Sequence, residues 1–384
     1  AEGVLMDKET GEPVLDAAGE KITASATFVP EQREGTVDVR FVFDGSSLGG
    51  AETVVFETVY DAEGNVAAEH KDMEDKDQTV FFPEIHTTIG DKDGYQSVYA
   101  GPVVLTDTVS YKGVEPGKEY TMTGVLMDKE TGEPVLDENG EKITSSTTFT
   151  PDEKEGTVDV TFTFDATVLA GKTLVSFETM TRDEKVYAVH TDINDEKQTV
   201  YIPAIHTTAT DGKGEKNFIS KGEATIVDTV DYKNLTAGKT YVAKGVLMDK
   251  QTQKPLLVNG QEVTSEKTFV PETPDGTVDV TFTFDSSALG SAQVVVYEEV
   301  YQVDTPEDPD KDTEKPDETV NPDKPSVPVV RLIADHKDIT DEGQTVTFNA
   351  PPKTGDFAAI GLVLSALVGL AGVGIIITRR KEYR

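Results

Sequence analysis

The chain has 384 residues, 71 acidic and 35 basic, for a formal net charge of −36. It contains no Cys, no Trp and only five His. That balance argues against nucleic acid and against anionic membrane surfaces; it excludes disulfides, thiolate metal sites and Cys nucleophiles and leaves little for a multi-histidine metal centre.

Taken in chain order, the first predicted element opens a repeat. GVLMDKETGEPVLD at Gly3–Asp16 recurs at Gly124–Asp137, and GVLMDKQTQKPLLV follows at Gly245–Val258, a step of 121 residues each time. A period that long is a whole domain rather than a solenoid unit. Next come GTVDVRFVFD from Gly35 and GTVDVTFTFD from Gly156 and Gly276. Their alternation of apolar and polar residues, rich in Val, Thr and Phe, predicts half-buried strands. ETGEP and ENGEK read as turns between strands. An apolar strand then ends in Glu in each copy: VVFE at Glu57, LVSFE at Glu178 and VVVYE at Glu298. Finally His70, His190 and His336 each precede a Gln-Thr-Val by eight residues, at Gln78, Gln198 and Gln344.

No stretch before Pro351 carries a helical stripe. The fold class is therefore all-β: tandem antiparallel β-sandwich repeats, immunoglobulin-like in layout. Boundaries fall at PEIHTT (Pro83–Thr88) and PAIHTT (Pro203–Thr208), giving repeats at 1–85, 86–205 and 206–350. Repeat 1 lacks the first strands, which repeat 2 carries between His86 and Thr121. The links are short, which predicts a stiff rod. Repeat 3 carries an acidic insert, Asp304–Pro328, with six Pro, whose composition is that of an extended loop. Asp308, Asp310 and Asp312 begin like a calcium loop, but Thr313 and Thr319 stand where Gly and Glu are needed, so no metal is expected.

A Glu directly after a core-like run is costly to bury without a partner. Each complete repeat also begins with a Thr-Thr pair, Thr87-Thr88 or Thr207-Thr208, followed about twenty residues later by Asp107 or Asp228. A hydroxyl, a primary amide, a His and two carboxylates make a complete acyl-transfer set. Duplication alone would also copy surface polar groups, and the same set would suit an enzyme with an external substrate.

The VVFE, HxDxxDxxQTV and Thr-Thr elements resemble the VaFE-repeat surface proteins of Gram-positive bacteria, built from threonine–glutamine ester-bond domains. The resemblance covers nearly all of residues 1–350. It implies an ester from Thr87 to Gln198, with Asp107, Glu178 and His190 assisting. It implies a second ester from Thr207 to Gln344, with Asp228, Glu298 and His336. Thr88 and Thr208 are the alternative nucleophiles, and a Lys–Asn isopeptide bond is the alternative crosslink. Repeat 1 keeps Glu57, His70 and Gln78 without a Thr or Asp strand and is expected to be uncrosslinked. His190 is the expected acceptor of the Thr87 proton. Asp107 and Glu178, if close, cannot both ionise, so one keeps a proton and polarises the Gln198 amide. The reaction would occur once per domain, needs no cofactor, and is not enzymatic turnover.

Phe357 to Thr378 is 22 residues without a charge, ending in Arg379, Arg380 and Lys381. That length spans a hydrocarbon core of about 30 Å as a helix, with the basic tail cytoplasmic and residues 1 to about 350 outside. Pro351-Pro352-Lys353-Thr354-Gly355 precedes it, and this order resembles a cell-wall sorting signal, with Pro351 where Leu is usual. The resemblance implies sortase cleavage between Thr354 and Gly355 and transfer to a peptidoglycan precursor or a pilin amine; a plain single-pass anchor is the alternative. The expectation is an extracellular, wall-anchored stalk in the C-terminal part of a longer or processed chain. Its other partner would be a host surface ligand, bound upstream or by the repeats themselves.

Overall fold

The structure is a computed structural model that describes residues 1–304 and 329–352. Three expectations lie outside the described residues: the insert from residue 305 to 328 with its calcium-like aspartates, the membrane segment 357–378, and the cleavage point at Thr354 and Gly355. The described residues contain no helix long and apolar enough to cross a membrane. Two compact units are present, residues 1–204 with 233–236, and residues 205–232 with 237 onward.

Repeat 2, in the first unit, shows the complete domain. One sheet holds a threonine strand (Glu84–Gly90), an aspartate strand (Pro102–Lys112) and the Glu155–Asp165 strand, in that order. The other holds the Thr144–Phe149 strand, a glycine strand (Tyr120–Asp128), a glutamate strand (Thr173–Arg182) and a histidine strand (Lys185–His190). A short glutamine strand (Thr199–Tyr201) also pairs with the glutamate strand. Every one of these named pairings is antiparallel. The two inner faces close on a core that includes Leu105, Val109, Leu126, Phe162, Leu174 and Val200. Strict alternation along Tyr120–Asp128, buried at every second residue, is what a sheet with one face on the core requires.

Repeat 3, in the second unit, repeats this plan with strands Ala204–Thr210, Glu223–Lys233 and Gly276–Asp285 in one sheet. Its other sheet is built on Thr240–Asp249 and Ala292–Asp304. One parallel pairing joins Asn217–Ile219 to the last strand, Thr345–Asn349. The acidic insert leaves from Asp304 and returns at Val329, which are paired residues at the tip of a hairpin.

In repeat 1 the described residues form the second sheet: Thr23–Ser25, Glu2–Asp7, Glu52–Tyr60 and Val66–His70, with Thr79–Phe81 beside Glu52–Tyr60. The predicted strand from Gly35 to Asp44 is not one here. Its counterpart in repeat 2 pairs along the whole aspartate strand, and repeat 1 has no such strand to offer it. Within the first unit Lys154 of repeat 2 forms an ion pair with Glu52 of repeat 1.

Candidate functional site

The threonine strand alternates as Ile85, Thr87 and Ile89 on the buried face and His86 and Thr88 on the exposed face. Thr87 is therefore the hydroxyl that enters the core, 4% exposed, and Thr88 is not. Thr207 is likewise fully buried. Thr87 lies opposite Val109, and Asp107 opposite Ile89, so Thr87 and Asp107 are diagonal neighbours on one face. The Thr87 Oγ1 hydroxyl donates a short hydrogen bond to Asp107 Oδ1.

Glu178 comes from the facing sheet, in the core row Leu174, Ser176, Glu178, Met180. It lies opposite Gly124 on one side and His190 on the other. The glycine explains how a Glu fits. A Cβ on Gly124 would sit 2.5 Å from Phe162 Cζ. In repeat 3 a Cβ on Gly245 would meet Glu298 Oε1 at 2.2 Å and Phe282 Cζ at 2.4 Å. The Gly of each GVLMD motif is thus the space that a Phe ring occupies, shared in repeat 3 with the buried Glu298 carboxyl.

Gln198 directly precedes the glutamine strand and is fully buried. Its Nε2 donates to Glu178 Oε2 at 2.6 Å and approaches Thr87 Oγ1 at 3.5 Å. Ser176 Oγ also donates to Glu178 Oε1. Burial, with the Asp107 carboxylate beside it, pushes Glu178 up to about 10 from an ordinary 4.5. Glu178 therefore keeps its proton at neutral pH. Asp107 Oδ2 and Gln198 Oε1 are buried without a hydrogen-bond partner. The Glu178 proton is the donor available to them.

His190 engages both ring nitrogens elsewhere. Nδ1 donates to the Ile85 carbonyl at 3.0 Å and Nε2 faces Asp195 Oδ2 at 2.9 Å. The bond to Ile85 ties the last hairpin to the threonine strand two residues before Thr87.

In repeat 3, Gln344 Nε2 donates to Thr207 Oγ1 at 2.8 Å and to the His336 carbonyl at 3.2 Å. Burial raises Asp228 to about 7, and burial together with Asp228 raises Glu298 to about 9. Both oxygens of each carboxyl are buried, and Val296 stands where repeat 2 has the donor Ser176 to its Glu. Glu298 pairs with Gly245 and His336 in the register seen in repeat 2, so the insert leaves the site intact. His336 Nδ1 accepts the Thr207 backbone N–H at 3.2 Å, and its Nε2 faces Asp341 at 3.1 Å. Donor atoms of His206, His336 and Asp341 lie within 4.8 Å of one another. With Nδ1 accepting, the Nε2 of a neutral ring carries the proton, which leaves no lone pair there for a metal.

In repeat 1, Glu57 lies opposite Gly3 and His70 in the same register, and Gln78 Oε1 is buried without a partner. Among the described residues no threonine–aspartate strand pair faces this set.

Several contributors escape a reading of residue types alone. Gly124 and Gly245 look like repeat markers, and Ser176 like a substitution within LVSFE. Asp195 and Asp341 sit among several acids between His and Gln; their fixed place five residues after each His was the available signal. Loop residues Gln96 and Lys216 also bond the carbonyls just before each Gln, Gln96 to Glu196 at 2.7 Å and Lys216 to Glu342 at 2.8 Å.

The T-Q ester bond containing domain is the family whose sequence model matches, over residues 1–82, 83–202 and 203–348. No curated protein matches the chain. Among solved structures, an adhesin from Mobiluncus mulieris with intramolecular disulfide, isopeptide and ester crosslinks aligns at 13% identity and a TM-score of 0.28, covering 70% of this chain and 98% of its own. The C-terminal domain of the Streptococcus agalactiae AgI/II polypeptide BspA aligns at 10% identity and 0.32, covering 70% and 99%. The C-terminal domain of the Streptococcus pyogenes antigen I/II-family protein AspA aligns at 9% identity and 0.31, covering 70% and 99%. Scores this low bear on neither chemistry nor partner.

Proposed function

The chain belongs to the T-Q ester bond domain family, and from that premise we propose that it is a bacterial surface protein of adhesin type whose second and third repeats are tied by self-formed Thr87–Gln198 and Thr207–Gln344 esters. The observation that carries this reading is the buried cluster itself: a threonine hydroxyl held by a carboxylate, beside a buried amide, beside a carboxylic acid that keeps its proton.

Asp107 takes the Thr87 hydroxyl proton, since that hydrogen bond is already made. The oxygen attacks Gln198 Cδ, the C–N bond breaks, and ammonia leaves with the proton. A half-turn of the Gln198 amide places Oε1 against Glu178, whose O–H then polarises the carbonyl and supports the developing oxyanion. His190 acts as a positioning residue, holding the threonine strand through Ile85. Folding supplies the main rate advantage, because such placement is worth effective molarities of about 10⁵–10⁸ M. Each domain reacts once, so this is maturation.

On the same reading Pro351–Gly355 is a sorting signal, sortase joins Thr354 to a peptidoglycan precursor, and the repeats form the extracellular stalk that carries or supplies a host-surface contact. Intact mass of the purified chain tests the crosslinks. The expected mass is short by two ammonia, and Thr87→Ala restores one of them. A full, unmodified mass in folded protein sinks the proposal. For the anchor, deletion of sortase should release uncut protein or leave it in the membrane fraction; unchanged attachment to the wall would reject sorting.

A further inference from the structure

We infer that Lys216 is a positioning residue for the repeat 3 crosslink with two duties: its ammonium grips the backbone that presents Gln344, and its charge supports the anionic form of Asp228 that takes the Thr207 proton. This rests on the ester chemistry proposed above.

The grip is visible in the hydrogen bonds. Lys216 follows the turn after the Ala204–Thr210 strand and directly precedes Asn217–Ile219, which pairs with Thr345–Asn349. Its backbone carbonyl accepts the Thr347 N–H at 2.8 Å. Its Nζ reaches back and donates to the carbonyls of Glu342 at 2.8 Å and Gly343 at 2.5 Å, the two residues before Gln344. The Gly343 carbonyl also accepts the Ala209 N–H at 3.0 Å. Thr207 lies two residues earlier on that strand, and its Oγ1 accepts Gln344 Nε2 at 2.8 Å. One peptide group therefore ties the lysine, the threonine strand of this repeat and the reacting amide together.

Repeat 2 has the same grip without the charge. The Gln96 carbonyl accepts the Tyr201 N–H at 2.8 Å, and its Nε2 donates to the Glu196 and Lys197 carbonyls at 2.7 and 3.2 Å. In repeat 3 the charge falls beside a fully buried carboxyl pair, Asp228 and Glu298. Burial, the largest influence, raises Asp228; the Lys216 ammonium lowers it and Asp279 raises it further. Burial lowers Lys216 itself, against Asp341, Asp228 and Glu342, the carboxylates that face it. His336 faces Asp341 at 3.1 Å and is held below its ordinary 6.5 by burial, so it stays neutral where Asp228 titrates. Asp228 has to be anionic to accept a proton. Loss of the ammonium therefore moves the rising limb of the reaction to higher pH.

The test uses the full chain, purified denatured before any ester has formed and refolded along a pH series, with ammonia loss in each repeat followed by mass. Lys216→Gln keeps a donor for the two carbonyls, as Gln96 does, and removes the charge. Its rising limb in repeat 3 should move up by roughly 0.5–1 in pH. The rate then falls about three- to tenfold at about pH 6 and by less than about twofold at about pH 8. Lys216→Arg keeps the charge and should leave the limb in place. Lys216→Met removes both duties and should be slower than Lys216→Gln at about pH 8 as well. Repeat 2 is the internal reference, with one profile in all four chains. A Lys216→Gln profile that superimposes on the parent, or that drops equally at every pH, overturns the inference, as does a Lys216→Met rate equal to that of Lys216→Gln. If the parent closes both esters in that experiment, only this inference fails; if its repeat 3 loses no ammonia at any pH, the ester reading of that repeat falls with it.

Discussion

At the scale of single residues, the site works by keeping two adjacent acids in different states. Burial and the neighbouring Asp228 hold the Glu298 proton up to about 9, and burial brings Asp228 to about 7. Ester formation needs Asp228 ionised and Glu298 protonated. The rate in freshly refolded repeat 3 should therefore rise through about pH 7 and fall above about pH 9. Mass spectra taken along a pH series check this, and a flat profile would reject the acid–base pair. The same burial has a stability consequence in repeat 2. The folded state binds the Glu178 proton more tightly than the unfolded chain, so this contribution is complete below about pH 4.5 and is lost as pH rises toward about 10. In a Thr87→Ala chain, Glu178→Gln should remove that part of the decline in denaturant midpoints. Burial of a Glu was legible in the sequence as a chemical expense after an apolar run. Which acid keeps the proton was not, because it depends on Asp107 lying across the sandwich.

At the scale of elements, strand register decides which side chains meet. Gly124 opposite Glu178 is the clearest case. Gly124→Ala places a Cβ against Phe162, an overpacking cost of about 1–3 kcal/mol, and pushes that ring toward Glu178. Slower ammonia loss in repeat 2, with repeat 3 unaffected, is the expected result; an unchanged rate would show that the glycine serves packing alone. The hairpin that carries His tolerates change at its tip for the opposite reason. Asp304 pairs with Val329, and Arg331 bonds Asp304 at 3.2 Å, so the ladder closes before the insert begins. Replacing residues 305–328 with a short turn should leave the Thr207–Gln344 crosslink complete by mass. The resemblance pointed to the first threonine and left Thr88 open; the buried row Ile85, Thr87 and Ile89 puts the first one in the core. The role of Asp195 was hidden, since a run of acids gives no hint which one turns inward.

At the scale of the whole chain, the esters change what unfolding and pulling can do. Thr87 and Gln198 are 111 residues apart, and Thr207 and Gln344 are 137 apart. Closing either loop restricts the unfolded chain by about 5 kcal/mol if the chain-entropy model for disulfides carries over. Thr87→Ala should lower the stability of repeat 2 by up to about that amount, read from denaturant midpoints. Under tension the tied repeat 2 should release none of the chain between its two linked residues. The Thr87→Ala form should release roughly 360–400 Å at full extension. Single-molecule force spectroscopy separates the two, and equal contour lengths would reject a load-sharing bond.

The sequence by itself determined the all-β class, the duplicated domains and the set of Thr, Asp, Glu, His and Gln that recurs. These follow from periodicity, spacing and residue chemistry, which are local properties. Only the tertiary structure decided that the Thr87 hydroxyl donates to an aspartate rather than a histidine, and that Glu178 and Glu298 are the acids. It also decided that Gly245 makes room for the Glu298 carboxyl and Gly124 for the Phe162 ring. Those outcomes depend on distances between strands from two different sheets and on how much water the core excludes. No pattern along one chain contains either quantity. The composition read at the outset acquires its meaning the same way. A chain with no Cys has no disulfide to tie a domain end to end, and in each complete repeat a buried Thr stands against a buried Gln.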